Sequence, residues 1–382
     1  MKQICDSVKC TGCGTCYVVC PRNCITMIPD EFGFYRPQIN KIQCISCNIC
    51  QNKCPQNKEE KKQSPIEVYA AWNKNPNERE SSSSGGIAAG FYQYALNNKY
   101  YICGTKFVDG LQLSHVITNY PEDRKDFKGS KYVQSRAYLI FGEIRDLLKK
   151  GNKVLFVGTP CQVAGLLNVV GRNHQNLITV DLICHGVPSE KYLKEHIKSI
   201  VGSNLEQVEV SFRDKLGWYL DIKRKGKSLY RNQAYQDFYY EGFLNAVFYR
   251  ESCYDCQYAC TERVGDITIG DFWGLGKLEP VKYPIEKVSL VLINTQKGKW
   301  FWNEASDLFI SEKRSIDEAR IDNEQLIHSS LHSPFSAKFK RLYRKMGFEN
   351  AVKKCLWKTV LKYKIKNFFQ KIKYKMNRKV PV

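Results

Sequence analysis

The sequence predicts an α+β cysteine-rich module followed by a larger α/β domain and a basic helical C-terminal tail. Three observations carry that expectation. One cysteine pattern occurs twice near the start, as Cys10-x2-Cys13-x2-Cys16-x3-Cys20-Pro21 and Cys44-x2-Cys47-x2-Cys50-x3-Cys54-Pro55. From residue 67 onward, short β-branched runs alternate with helical patterns, which is the order of an α/β domain. Residues 337–382 hold sixteen Lys or Arg against the single Glu349; of the net charge of +21, only +6 is left for the rest of the chain.

The doubled run has the spacing of a bacterial two-cluster ferredoxin. There, three closely spaced thiolates hold one cubane and the fourth cysteine, set before a proline, reaches across to the other. Cys10, Cys13, Cys16 and Cys54 are therefore expected to hold one [4Fe–4S] cluster, and Cys44, Cys47, Cys50 and Cys20 the second. Structural zinc usually takes separated C-x2-C pairs, and disulfides need an oxidising compartment. Neither explains two runs that both end in proline. Residues 25–37, apolar with a glycine turn, suit a small sheet covering the clusters. The module is placed at residues 1–56 and relays electrons without substrate chemistry of its own.

At 382 residues the chain is several times longer than such a relay needs, so a second domain with its own core follows. Ten of the seventeen cysteines precede residue 55, so their usage tracks clusters rather than a disulfide framework. The start lacks an apolar signal region and no uncharged run approaches 18 residues, which points to the cytoplasm, in solution or peripheral at the inner membrane surface.

Residues 57–66 are polar and charged and are expected to be a linker. The second domain is placed at residues 67–330, with strands expected at 67–72, 153–157, 177–183, 208–212, 266–269 and 288–293 and helices at 86–96 and 162–170. The tail is placed at 331–382. Within it Leu361, Ile365, Phe368, Ile372 and Met376 recur three or four apart, lining one helical face with apolar groups. Such a helix either lies on an anionic membrane surface, where each Lys or Arg contributes about 1 kcal/mol, or packs on its own domain or a partner. Nucleic acid is disfavoured, since no recognised nucleic-acid motif accompanies the charge.

The remaining cysteines sit at strand ends. Cys161 and Cys184 follow two expected strands, and Cys253-x2-Cys256 precedes a third, so a parallel sheet would gather these thiols at one edge. With them come Ser82-Ser-Ser-Gly-Gly86, Lys128-Gly-Ser-Lys-Tyr-Val-Gln-Ser135, Gly158-Thr-Pro-Cys-Gln162, Cys184-His-Gly-Val-Pro188 and Gly265-Asp-Ile-Thr-Ile-Gly-Asp-Phe-Trp-Gly274. In this order the motifs, which span roughly residues 67–300, resemble the coenzyme F420 hydrogenase/dehydrogenase β-subunit family in the form that carries an N-terminal two-cluster ferredoxin. The resemblance implies a flavin, usually FAD, and a third [4Fe–4S] cluster held by Cys161, Cys184, Cys253 and Cys256. Cys260 extends the local run and is an alternative ligand. Cys5, Cys24, Cys103 and Cys355 have no such context and are expected to be buried free thiols.

For the flavin, the residues proposed to bind are Ser83, Ser84, Gly85 and Gly86 before a helix, Lys131 and Tyr132, Thr159, and Gly270, Asp271, Phe272 and Trp273. Small residues there would let backbone approach a planar ring. Phe272 and Trp273 either cover that ring or are ordinary core aromatics. His185 is the candidate proton carrier, with a structural role beside the cluster loop as the alternative.

The expected function is that of an iron–sulfur flavoprotein oxidoreductase that exchanges single electrons for hydride chemistry. Coenzyme F420 or another small-molecule acceptor is its substrate, and a redox protein or soluble donor its partner. The alternative is a non-catalytic electron-delivery subunit or adaptor for a partner enzyme, with surface-polysaccharide biosynthesis as one setting.

Overall fold

The computed structural model describes residues 3–214, 217–283 and 286–377, the side chains of Asp109 and of residues 367–377 excepted. In the cysteine-rich module, β1 (Ile25–Pro29) and β2 (Tyr35–Ile39) form an antiparallel hairpin with Ile25 opposite Ile39. Its turn is built by Asp30, whose Oδ1 accepts the backbone N–H groups of Phe32 (3.0 Å) and Phe34 (2.9 Å). Gly33 takes φ +86°, a conformation that only glycine adopts without strain.

The second domain is organised by an eight-stranded mixed sheet. Its strands are β3 (Glu67–Asn73), β4 (Tyr100–Val108), β5 (Gln112–Thr118), β6 (Lys153–Gly158), β7 (Leu177–Leu182), β11 (Ile267–Asp271), β12 (Ser289–Ile293) and β13 (Phe309–Lys313), in the order β13-β3-β12-β11-β7-β6-β4-β5. The central four, β11, β7, β6 and β4, run parallel, and the flanking pairs are antiparallel. Continuous apolar runs in the centre follow from burial on both faces. Leu155 and Val157 of β6 pack with Phe91 and Phe301, from helices Ile87–Asn97 and Gln296–Ala305. Val154 and Phe156 pack on the other side with Phe141 and Val163, from helices Phe141–Lys149 and Pro160–Val170. Parallel strands so covered leave their carboxyl ends as the natural crevice.

A second, three-stranded antiparallel sheet of β8 (Val208–Asp214), β9 (Gly217–Arg224) and β10 (Lys227–Gln233) lies outside that frame. The expected strand at 208–212 therefore exists but belongs to this smaller sheet. Together with helices Glu190–Val201 and Phe238–Leu244 it encloses an aromatic core around Tyr192, Tyr239, Phe248, Phe339 and Phe348.

The last two of those aromatics come from the segment expected to be a tail. Helix Ser336–Asn377 breaks at Gly347 (φ 73°, ψ 178°). Phe339 and Tyr343 before the break, and Phe348, Ala351, Val352, Cys355, Leu356 and Val360 after it, are buried. The helix as far as Val360 is thus packed against its own domain, one of the arrangements expected for it. Leu361 and Ile365 are exposed, while the side chains of Phe368, Ile372 and Met376 lie outside the described residues. The linker is also pinned down. Glu60 is buried and pairs with Lys58 and Arg172 while accepting from Asn168 Nδ2 at 2.8 Å, because a buried carboxylate needs such partners.

Candidate functional site

Three recesses lined by cysteine follow one another through the molecule. Cys20, Cys44, Cys47 and Cys50 line the first, together with Ile45 and Arg22. Cys10, Cys13, Cys16 and Cys54 line the second, with Thr11, Gly12 and Gly14. Cys161, Cys184, Cys253 and Cys256 line the third, at the carboxyl ends of β6 and β7, with Thr11 and Arg250. Cys5 also lines the second recess and Cys24 the first, where its Sγ is 3.4 Å from that of Cys20. Cys103 is buried in β4 and Cys355 in the C-terminal helix, away from all three. Cys260 turns aside: its thiol donates to the Glu262 carbonyl at 3.2 Å and lies 3.3 Å from Lys62 Nζ.

Among the described residues no group of three or more His, Cys, Asp or Glu is placed to hold a single metal ion. A cubane spreads four thiolates over separate irons, so sulfurs ringed around a recess suit it. Burial pushes the Cys184 thiol up to about 11, with the nearby Cys256 adding to the effect. Cys161, Cys253 and Cys256 are pushed up as well, chiefly by burial. A bound metal or cluster would supply the positive charge that lets thiols raised in this way ionise together.

Local structure brings these residues into line. Thr159 caps helix Pro160–Val170 through a capping box with Gln162, and Pro160 occupies the first helical position, where its missing N–H is not needed. Gln162 Oε1 accepts Thr159 N–H (3.0 Å), and Gln162 Nε2 donates to Ser135 Oγ (2.9 Å). The Ser135 hydroxyl in turn donates to His115 Nδ1 (3.1 Å), whose Nε2–H donates to the Val157 carbonyl (3.0 Å). Burial lowers the His115 pKa to about 4, so the ring is neutral and its tautomer is fixed by these partners. The same helix lies against the second recess: Thr15 Oγ1 donates to the Gly165 carbonyl at 3.0 Å, and a Cβ at Gly165 would come within 3.0 Å of Cys13 Cβ. His115, Ser135, Arg250 and Arg213 were not legible as site residues, whereas Gln162 carried a signal in its Thr-x-x-Gln spacing.

Farther along the sheet edge, Ser83 Oγ accepts Ser130 N–H (2.7 Å), and Arg213 donates to the Ser83 carbonyl (3.0 Å) and to Asp271 Oδ2 (2.7 Å). The guanidinium lies over the rings of Trp218 (5.0 Å) and Tyr132 (5.9 Å), and Trp218 meets Trp273 edge to face. Ser83, Tyr132, Asp271 and Trp273 are therefore brought together. Arg213 Nε is buried with no hydrogen-bond partner among the described residues, which leaves a donor for an anionic or carbonyl-bearing group.

Other expected members of this set are used differently. Ser84 Oγ donates to the Val288 carbonyl (3.2 Å), and Gly85 N–H to Ser289 Oγ (2.9 Å), fastening the loop to β12. A Cβ at Gly85 would meet the Ala71 carbonyl at 2.5 Å and one at Gly270 would meet Ile183 at 2.7 Å, so these glycines serve contacts within the protein. Gly86 (φ +80°) caps helix Ile87–Asn97. Phe272 takes the second of its two expected places and packs in the core with Val68, Trp72 and Leu290. Lys131 Nζ donates to the Lys128 carbonyl (2.8 Å), and burial lowers its pKa to about 8. Thr159 belongs to the third recess, with Oγ1 3.3 Å from Cys161 Sγ. His185 is exposed at the sheet edge, and its pKa is lowered chiefly by desolvation, Asp271 opposing.

Cysteine-lined recesses on a mixed α/β frame define an iron–sulfur, oxidoreductase-like protein. Residues 9–58 match the 4Fe-4S dicluster domain, and residues 151–319 match the family described as the C terminus of the coenzyme F420 hydrogenase/dehydrogenase beta subunit. Residues 151–319 therefore carry a domain similar to the C terminus of the coenzyme F420 hydrogenase/dehydrogenase beta subunit, behind an N-terminal 4Fe-4S dicluster domain. Among solved structures, a chain of the F420-reducing [NiFe] hydrogenase complex from Methanosarcina barkeri, from a xenon-derivatization study, is similar at 18% identity and a TM-score of 0.46. The match covers 72% of this chain and 97% of that one. No curated protein matches. No helix among the described residues is long and apolar enough to cross a membrane.

Proposed function

We propose that the protein is an iron–sulfur flavoprotein oxidoreductase in which the dicluster module (residues 1–56) exchanges electrons with a third [4Fe–4S] cluster in the domain that follows. Cys161, Cys184, Cys253 and Cys256 would hold that cluster. The observation that carries this reading is the convergence of four thiols on one recess that shares Thr11 with the recess of Cys10, Cys13, Cys16 and Cys54. Thr159, Gln162 and Ser135 fix the Cys161 turn, and the buried Arg263, paired with Asp181 at 2.9 Å and donating to the Tyr258 carbonyl at 3.0 Å, holds the loop after Cys256.

A flavin, when bound, supplies the exchange between one-electron and hydride chemistry. Ser83, Tyr132, Arg213, Asp271 and Trp273 would hold it, the unpaired Arg213 Nε offering a donor to a phosphate or ring carbonyl. His185, mostly neutral near pH 7, would accept or return a proton at a ring nitrogen. Coenzyme F420 or another small hydride acceptor is the proposed substrate. Thiolate ligands in this number need a reducing compartment, so the cytoplasm is the proposed location. The exposed apolar residues Trp357, Leu361 and Ile365, four apart among lysines, would rest on an anionic membrane surface.

The test is iron, acid-labile sulfide and flavin content of protein purified without oxygen. About twelve irons and one flavin per chain are expected, since each cubane holds four irons. About eight irons without flavin would leave the dicluster module and remove the oxidoreductase reading.

A further inference from the structure

The two dicluster recesses differ in exposure. Cys10, Cys16 and Cys54 are buried at 8%, 8% and 7%, whereas Cys47 is exposed. Around it, residues 41–43 and 45–49 are all exposed. That loop nevertheless carries Ile42, Ile45 and Ile49, at 97%, 59% and 36% exposure. Ile45, Cys47 and Arg22 line the same recess. Ile42, almost wholly in water, gains nothing for the fold, and with the exposed faces of Ile45 and Ile49 beside it in sequence it makes an apolar patch of the kind that marks a contact surface. The rim is of one sign: residues 38–53 contain Lys41 and Lys53 and no Asp or Glu, and Arg22 adds a third positive charge.

We propose that the loop of Ile42, Ile45, Cys47 and Ile49 is the docking face for a small acidic electron-carrier protein whose redox centre lies at its own surface. The inference rests on the two-cluster reading of Cys10 to Cys54. In the step, the reduced carrier would lose one electron to the cluster that Cys20, Cys44, Cys47 and Cys50 would hold, with no bond made or broken and no proton moved. An apolar centre excludes water from the contact, while opposite charge raises the encounter rate. Electron-transfer encounters bury under about 1,200 Å², so a loop of this size suffices. A second copy of the chain is disfavoured because it would set the same lysines against each other.

The experiment is stopped-flow reduction of the holoprotein by a chemically reduced acidic plant-type ferredoxin at rising ionic strength, with dithionite as a control. The native second-order rate constant is expected to fall at least tenfold between low and near-physiological salt. The double variant K41E/K53E and the single variant I42D are each expected to lower the low-salt rate at least tenfold, with unchanged final reduction by dithionite. Ile42, at 97% exposure, supports no fold contact that its replacement would remove. Rates insensitive to salt and to both changes would overturn the proposal. So would concentration-dependent self-association, or sedimentation with anionic vesicles, that I42D abolishes while ferredoxin rates stay native. Fewer than about eight irons in the native protein would instead overturn the underlying two-cluster reading, whatever the rates.

Discussion

Arg250 Nη2 stands 3.6 Å from Cys10 Sγ, and the same side chain lines the recess of Cys161, Cys184, Cys253 and Cys256. Its Nε donates to the Cys10 carbonyl (2.7 Å), Nη2 to the Tyr35 carbonyl (2.8 Å) and Nη1 to Gln134 Oε1 (3.0 Å). The residue is fully buried, yet no carboxylate pairs with it among the described residues. A buried cation is strongly disfavoured without a compensating charge, and anionic thiolate clusters on either side would provide one.

That placement sets a redox prediction. A positive charge favours the reduced form of a neighbouring cluster, so Arg250→Gln should lower the midpoint potentials of the two adjoining clusters. A tenfold change in each one-electron equilibrium corresponds to about 59 mV. Arg250→Lys should stay close to native, and the cluster of Cys20, Cys44, Cys47 and Cys50 should not move. Redox titration followed by paramagnetic resonance reads the steps separately. Equal shifts in the Gln and Lys variants would assign Arg250 to folding instead.

The ligand set of the third recess is tested by iron counting. Cys184→Ser should reduce iron from about twelve to about eight per chain. Cys260→Ser should leave it near native, since its thiol is turned to the Glu262 carbonyl. Loss of iron in the second variant with none in the first would exchange their roles.

How much of this was legible follows from what each signal depends on. Thiol spacing is local, so the two cluster runs could be assigned from sequence, and strand ends could be guessed from β-branched runs. Arg213, Arg250 and His115 owe their positions to pairings across the fold, such as Arg250 with Cys10 in another module, and an isolated Arg or His carries no such mark. Phe272 and Trp273 look alike in sequence, but in the turn that follows β11 the first is buried in the core and the second is left 39% exposed. At the C-terminus the charge was conspicuous and hid the stripe of Phe339, Tyr343, Phe348, Val352 and Leu356 that builds a core.

A charged triad fixes that C-terminal helix. His196 Nδ1 meets Glu349 Oε2 at 2.9 Å and Nε2 meets Asp237 Oδ2 at 2.8 Å, so both nitrogens donate and the ring is an imidazolium. Burial opposes the charge, but Asp237 and Glu349 raise the pKa to about 9, while His196 holds Glu349 down at about 2. A raised histidine pKa stabilises the fold fully below its unfolded value of about 6.5 and loses that contribution as pH rises through about 9. The depressed carboxylate contributes above about 4.3 and loses its effect as pH falls toward about 2. The difference in thermal midpoint between native protein and His196→Gln should therefore shrink from pH 7 to pH 10. A constant difference would show that the ring is neutral throughout.

The end of the same helix separates packing from surface attachment. Phe348, 1% exposed among Tyr192, His196 and Phe248, should cost about 3–5 kcal/mol when changed to Ala. Trp357 and Leu361, at 51% and 46% exposure, touch water, so Trp357→Ser with Leu361→Ser should change stability by only about 0.5 kcal/mol each. Deleting the whole helix would confuse the two effects, because it removes core and surface together. If the exposed stripe rests on a membrane, the double Ser variant should lose sedimentation with anionic vesicles while its unfolding midpoint stays near native. Binding retained by that variant would leave the lysines alone responsible, and binding absent from the native protein would remove the membrane from the proposal.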